Sequence, residues 1–197
     1  QKATLLGATV IAMSGLDGVI NDENGLDIAF VKRLRDEKLS IQEYFIKYPE
    51  TQFYTNPKSL WGIKADIALP CATQNELDLD DAKKLVQNNI MAVLEGANMH
   101  TTLDATNYLI ENKVLFVPGK AANAGGVSVS GLEMTQNASH SQWTFDVVDL
   151  KLKEIMKNIF ESIYEVATLY GNPHDLVKGA NIKSFIRLYQ AMLEQGY

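Results

Sequence analysis

At 197 residues the chain is long enough for one domain or one and a fraction, and 46% hydrophobic content can bury a core. A net charge of −6, a pI near 5.1 and scattered Lys and Arg argue against a nucleic-acid partner. A single cysteine, Cys71, excludes an internal disulfide and fits a reducing cytoplasm, and no run reaches the ~18–20 apolar residues of a membrane helix.

Residues 1–7 read as the tail of a helix ending at Gly7. Ala8–Met13 is a short apolar run, expected to be a buried strand. Ser14–Gly25, dense in Gly, Asn and Asp, reads as a turn region. Leu26–Lys38 has helical spacing, with Ile28, Val31 and Leu34 on one face. Ile41–Lys47 adds a helical turn, and Phe53–Tyr54 a short strand. Further strands are expected at Ala65–Leu69, Met91–Leu94 and Val114–Val117, with helices at Asp80–Asn89, capped by Asp78, and at Thr101–Glu111. From about 120 the chain reads as helix over 120–140, 147–170 and 176–195, the last two separated by Gly171-Asn172-Pro173.

Alternating strands and helices with apolar runs predict an α/β fold. The expected sheet is Rossmann-like and parallel or mostly parallel, with helices on both faces. Residues 1–140 would form this domain, and 141–197 a C-terminal helical segment packing on it. Ligands in such sheets lie at the carboxyl ends of strands. Here those ends are Ser14–Asp17, Pro70–Asn75, Gly96–Asn98 and Pro118–Asn123, all small or polar.

An acidic residue near the end of a second strand commonly bonds the adenosine ribose, a role open to Asp17 alongside Ser14 and Gly15. Asp17-Gly18 reads equally well as a turn. The Gly-rich phosphate loop should lie about 20 residues earlier. Only 16 residues precede Asp17, and none forms G-x-G-x-x-G. With no initiator Met, the expectation is a chain cut off before or within its first helix. Asn98 suits a nicotinamide carboxamide or ribose, although a loop Asn also satisfies its own backbone. The adjacent glycines Gly125-Gly126 imply a close approach to the backbone, by another helix or by a small molecule. Cys71 reads as a packed small residue. His100, His140 and His174 offer neither metal-ligand spacing nor a base for Cys71, so no metal is expected.

Several strings together resemble the glutamate dehydrogenase family: Asp66–Leu77 (DIALPCATQNEL), Glu95–Met99 (EGANM), Pro118–Val127 (PGKAANAGGV), Ser130–Asn137 (SGLEMTQN) and Gly179–Ile182 (GANI). The resemblance is to the C-terminal, nucleotide-binding part. It implies reversible oxidative deamination of L-glutamate to 2-oxoglutarate and ammonia, with hydride transfer to NAD or NADP. By the same resemblance, Ala72, Thr73, Gln74, Asn75 and Asn98 line the nicotinamide side. Asn123 and Val127 lie near the substrate, and Ser130 contacts its side-chain carboxylate. The catalytic Lys and Asp belong to a substrate domain outside this chain, so no catalytic residue is expected within it, and the chain alone is expected to be inactive. The full-length enzyme is expected to be a homo-oligomer, commonly a hexamer.

Cofactor choice divides the residues. Asp17 disfavours the extra phosphate of NADP. Lys38 falls where NADP-using relatives keep a phosphate-binding Lys, and also reads as a cation placed by a helix C-terminus. EGANM and PGKAANAGG resemble the NADP-using members, so the balance leans to NADP. His100 departs from the family, which usually has Pro there; Leu16 stands at a position that is often Pro or Ser. The alternatives are a leucine- or phenylalanine-type dehydrogenase, disfavoured by the Ser130 hydroxyl, and a non-catalytic nucleotide-binding module.

Overall fold

The computed structural model describes residues 1–196; the last residue of the expected 141–197 segment lies outside them. It divides into two compact units: Gln1–Ala65 with Gln87–Asn89, and Asp66–Val86 with Ile90–Tyr197.

The first unit begins with a short helix, α1 (Lys2–Leu5), closed by Gly7 at φ +91°. A three-stranded antiparallel sheet follows, in the order β1 (Ala12–Gly15), β2 (Gly18–Asn21), β3 (Gln52–Tyr54). This corrects two expectations. The strand expected at Ala8–Met13 starts only at Ala12, and the turn region Ser14–Gly25 holds the end of β1 and all of β2. The four residues of β2 are buried between two neighbouring strands, and that burial overrides the turn propensity of Gly18 and Asn21. The β1–β2 sheet is also antiparallel, so this strand does not extend a parallel sheet.

Helix α2 (Ile28–Asp36) starts where Asp27 accepts from the Phe30 amide at 2.9 Å. Asp27 also accepts from the Tyr48 hydroxyl at 2.8 Å. The Phe30 amide bond, followed by the Tyr48 bond, holds the Asp27 carboxyl below its ordinary pKa. Phe30 and Leu34 bury their side chains against Ile20, Leu26 and Tyr44. Burial also pushes the Tyr44 phenol above its usual pKa. Helix α2 ends with Lys38 in the left-handed region at φ +56°, Lys38 N–H donating to Arg35 O and Leu39 N–H to Leu34 O. That pattern is a Schellman stop. Helix α3 (Gln42–Lys47) follows. A 3₁₀ turn over Pro57–Gly62, capped by the Asn56 side chain, carries no periodic signal in the sequence and was not anticipated.

The second unit contains the expected parallel sheet, in the order β4 (Ile67–Ala68), β5 (Ala92–Leu94), β6 (Leu115–Val117). Helix α4 (Leu79–Gln87) joins the first two strands, with Asp78 accepting from the Asp80 and Asp81 amides. Helix α5 (Leu103–Glu111), capped by Thr102, joins the next two. After β6 come α6 (Gly119–Ala122), α7 (Ala124–Ala138), α8 (Phe145–Leu169) and α9 (Leu176–Glu194). The core here joins Val117 and Ala121 to Ile163, Ala167, Leu176 and Ala180. Gly179 lets α9 cross α8 closely: a Cβ there would lie 2.4 Å from the Ile163 carbonyl oxygen.

Candidate functional site

In the second unit the strand ends feed three connections, 69–78, 95–102 and 118–123. Backbone bonds tie the first to the second. Gly96 and Ala97 N–H groups donate to Pro70 O at 2.8 and 3.1 Å, and Asn75 N–H donates to Met99 O at 3.0 Å. Asn75 and Met99 both have positive φ, at 56° and 52°. The second connection is tied to the third by Glu95, only 4% exposed. Its carboxylate accepts from the Thr101 amide and from the Gly119 amide, each at 2.8 Å. Buried carboxylates need such charge-assisted partners.

Two glycines allow these connections to close. A Cβ on Gly119 would sit 2.6 Å from the Ala97 carbonyl oxygen, and one on Gly96 would sit 2.5 Å from Cys71 Sγ. Cys71 is exposed. The expectation that it packs as a buried residue is therefore corrected: it lies after the strand, where burial has ended.

On this framework Asn123 Nδ2 donates to Asn98 Oδ1 at 2.6 Å. The structure thus brings together two of the residues singled out from separate motifs. Ala72, Thr73, Gln74 and Asn75 form an exposed run beside them, joined through the Asn75–Met99 bond. Val127, 73% exposed, and Ser130 lie on α7 in the turns after Asn123. The Ser130 hydroxyl donates weakly to Gly126 O at 3.3 Å. A Cβ on Gly125 would meet α8 only at 3.7 Å, and one on Gly126 would meet nothing within 4 Å. Helix packing therefore explains neither glycine. Lys120, beside Asn123 in sequence by three residues, donates to the Asn181 side chain on α9.

In the first unit Ser14 and Gly15 lie in β1, and Leu16-Asp17 is the two-residue turn into β2. The Asp17 carboxylate is exposed and accepts from the Ser40 hydroxyl. Ser40 follows Lys38 by two residues, so one connection carries both the exposed cation and the partner of Asp17.

Sequence reasoning missed Glu95, which joins two of these connections. An acid directly following a buried strand was the available signal for Glu95. Among the described residues no cluster of His, Cys, Asp and Glu could hold a metal ion, and no helix is long and apolar enough to cross a membrane.

In open parallel α/β sheets, the class to which this unit belongs, ligands bind outside the carboxyl ends of the strands, where these polar connections converge. The chain belongs to the glutamate/leucine/phenylalanine/valine dehydrogenase family, whose model matches residues 1–196. It is 46% identical to an NAD-specific glutamate dehydrogenase of Porphyromonas gingivalis, matching all of this chain and 45% of that protein. It is 45% identical to an NADP-specific glutamate dehydrogenase of Salmonella typhimurium, matching all of this chain and 44% of that protein. Among solved structures, Plasmodium falciparum glutamate dehydrogenase superposes with a TM-score of 0.92 at 43% identity, covering all of this chain and 43% of that one. The chain therefore spans less than half the length of these relatives.

Proposed function

We propose that this chain forms the cofactor-facing part of a longer glutamate dehydrogenase. That enzyme converts L-glutamate and water to 2-oxoglutarate and ammonium. The hydride from the α-carbon goes to NAD or NADP, and a proton is released. Residues 1–140 serve as a Rossmann-like dinucleotide-binding domain, and the helices of 141–197 reach toward a substrate domain that supplies the catalytic acid and base. The enzyme acts in the reducing cytoplasm as a homo-oligomer, a hexamer by resemblance.

The Asn98–Asn123 contact carries this reading, because it unites two family motifs at the ends of β5 and β6. These residues fit a nicotinamide. Exposed amide and hydroxyl groups at 72–75 and 98 can donate to and accept from a carboxamide. The open backbone at Gly126 leaves room for a substrate near Val127 and Ser130. Within the first unit, the resemblance assigns Ser14, Gly15, Asp17 and Lys38 to an adenosine ribose. The sequence contains no G-x-G-x-x-G, so the pyrophosphate takes no cradle from it. Cofactor choice leans to NADP through Lys38, and dual use is compatible with the Ser40 bond that engages Asp17.

The test is steady-state oxidation of glutamate by the longer protein and by its Ser130→Ala variant. A hydrogen bond to a carboxylate is worth about 1.5–3 kcal/mol, so the KM for glutamate should rise roughly ten-fold or more. A rise confined to the cofactor KM would remove Ser130 from the substrate side.

A further inference from the structure

The exposed run 72–75 has no regular secondary structure, so its conformation depends on a few fixed bonds. One set converges on a single atom. Glu76 Oε2 accepts from both the amide and the hydroxyl of Thr73, each at 3.2 Å. His100 Nε2 lies 3.3 Å from the same oxygen. The two partners differ in freedom: the Glu76 side chain is 29% exposed, that of His100 only 1%.

A half-exposed carboxylate held only by a loop would exchange rotamers and partners with water. A fully buried ring cannot. The backbone on either side of the ring is also fixed. Leu77 N–H donates to His100 O at 3.2 Å, and the Thr101 amide donates to the buried Glu95 carboxylate at 2.8 Å. His100 stands where the resembling family usually has proline, which offers no donor, so the family assigns it no part.

We propose that His100 is a positioning residue for the cofactor: its imidazole fixes the Glu76 carboxylate, and Glu76 in turn orders the 72–75 run. The cofactor link rests on the dehydrogenase reading above; the ordering itself does not.

Amide hydrogen exchange of this chain, followed residue by residue by NMR, tests the ordering. His100→Leu keeps the bulk and removes the donor. Thr73 exchange should then speed up about ten-fold, as loss of a charge-assisted bond predicts, while Val93 in β5 stays protected. His100→Gln, which retains a donor, should restore most of the protection. Unchanged Thr73 exchange in His100→Leu, an equal change at Val93, or a Gln variant no better than Leu would each overturn the proposal. Should His100→Leu fail to fold, Glu76→Ala probes the same link from the exposed side. The ring Nε2–H proton of His100 should then exchange faster, and an unaltered signal overturns the proposal.

In the longer enzyme His100→Leu should raise the cofactor KM about ten-fold with kcat held within about two-fold, the mark of lost uniform binding. An unchanged cofactor KM in an enzyme that oxidises glutamate overturns the cofactor link. Absence of glutamate oxidation by the unaltered enzyme would instead remove the dehydrogenase reading and leave the exchange result standing.

Discussion

Glu95 Oε2 accepts a 2.8 Å hydrogen bond from the Gly119 amide, 24 residues further along the chain. Its other oxygen holds the Thr101 amide. One buried carboxylate thus joins the connections that follow β5 and β6. Glu95→Gln would present an NH₂ group to one of two amide donors. Losing a charge-assisted bond in a buried setting costs about 1.5–3 kcal/mol. In a chain of this size that lowers Tm by roughly 3–12 °C. Thermal unfolding followed by circular dichroism checks this, and an unchanged Tm contradicts it.

The two glycines at the strand ends should respond differently to a methyl group. Gly119→Ala meets backbone, the Ala97 carbonyl oxygen at 2.6 Å. Gly96→Ala meets the Cys71 thiol, a side chain that can turn away. Both substitutions destabilise, Gly119→Ala the more, within the ~1–3 kcal/mol typical of overpacking. With Cys71→Ala already in place, the nearest obstacle at Gly96 is the Pro70 carbonyl oxygen at 3.5 Å, which is ordinary contact. Chemical denaturation of the double-mutant cycle should therefore show Gly96→Ala to be milder in the Cys71→Ala background. Additive effects would contradict this account.

Asp27 makes stability depend on acid. Its folded-state pKa is lowered by the Phe30 amide bond first and the Tyr48 hydroxyl second. A depressed carboxylate contributes stability above its unfolded pKa, about 3.9, and loses it as pH falls through the lower folded value. Asp27→Ala should cost about 0.5–2 kcal/mol at pH 7, the usual worth of such a cap. The gap between parent and variant should narrow below about pH 4. Urea denaturation at several pH values measures it; a gap that widens toward acid would contradict the assignment.

The proposed phosphate contact of Lys38 predicts a difference between the two cofactors. In the longer enzyme Lys38→Ala should raise the KM for NADPH about ten-fold or more and leave that for NADH nearly unchanged, because a phosphate contact is charge-assisted. Equal effects on both would reduce Lys38 to the Schellman residue that closes α2.

The helices and the parallel strands were legible because their signals are local. Asp78 caps where its side chain suggests and 3.6-residue spacing marks α2, whereas the helices expected from Leu26 and Thr101 start two residues later, after the caps Asp27 and Thr102. The antiparallel sheet was not legible. Val19 and Ile20 form a strand only because β1 and β3 cover them, and in sequence they sit among Gly, Asp and Asn. The strand-end residues of the candidate site could be listed from sequence, but their connections could not. The Asn98–Asn123 contact and the Glu95 bridge join positions 24 or 25 residues apart, and no spacing rule encodes them.

The central claim is that this chain belongs to an enzyme that oxidises glutamate, with the chain alone forming one wall of the cleft. The most direct measurement is reduced-cofactor formation from L-glutamate, L-leucine and L-phenylalanine by the longer protein and by this chain in isolation. Holding two reactants in register contributes about 7–11 kcal/mol, so one wall cannot substitute for two. The account predicts turnover of glutamate by the longer protein, with leucine and phenylalanine poorer by about 100-fold or more in kcat/KM, and none by the isolated chain. Preference for leucine or phenylalanine, or measurable glutamate turnover by the isolated chain, would contradict it.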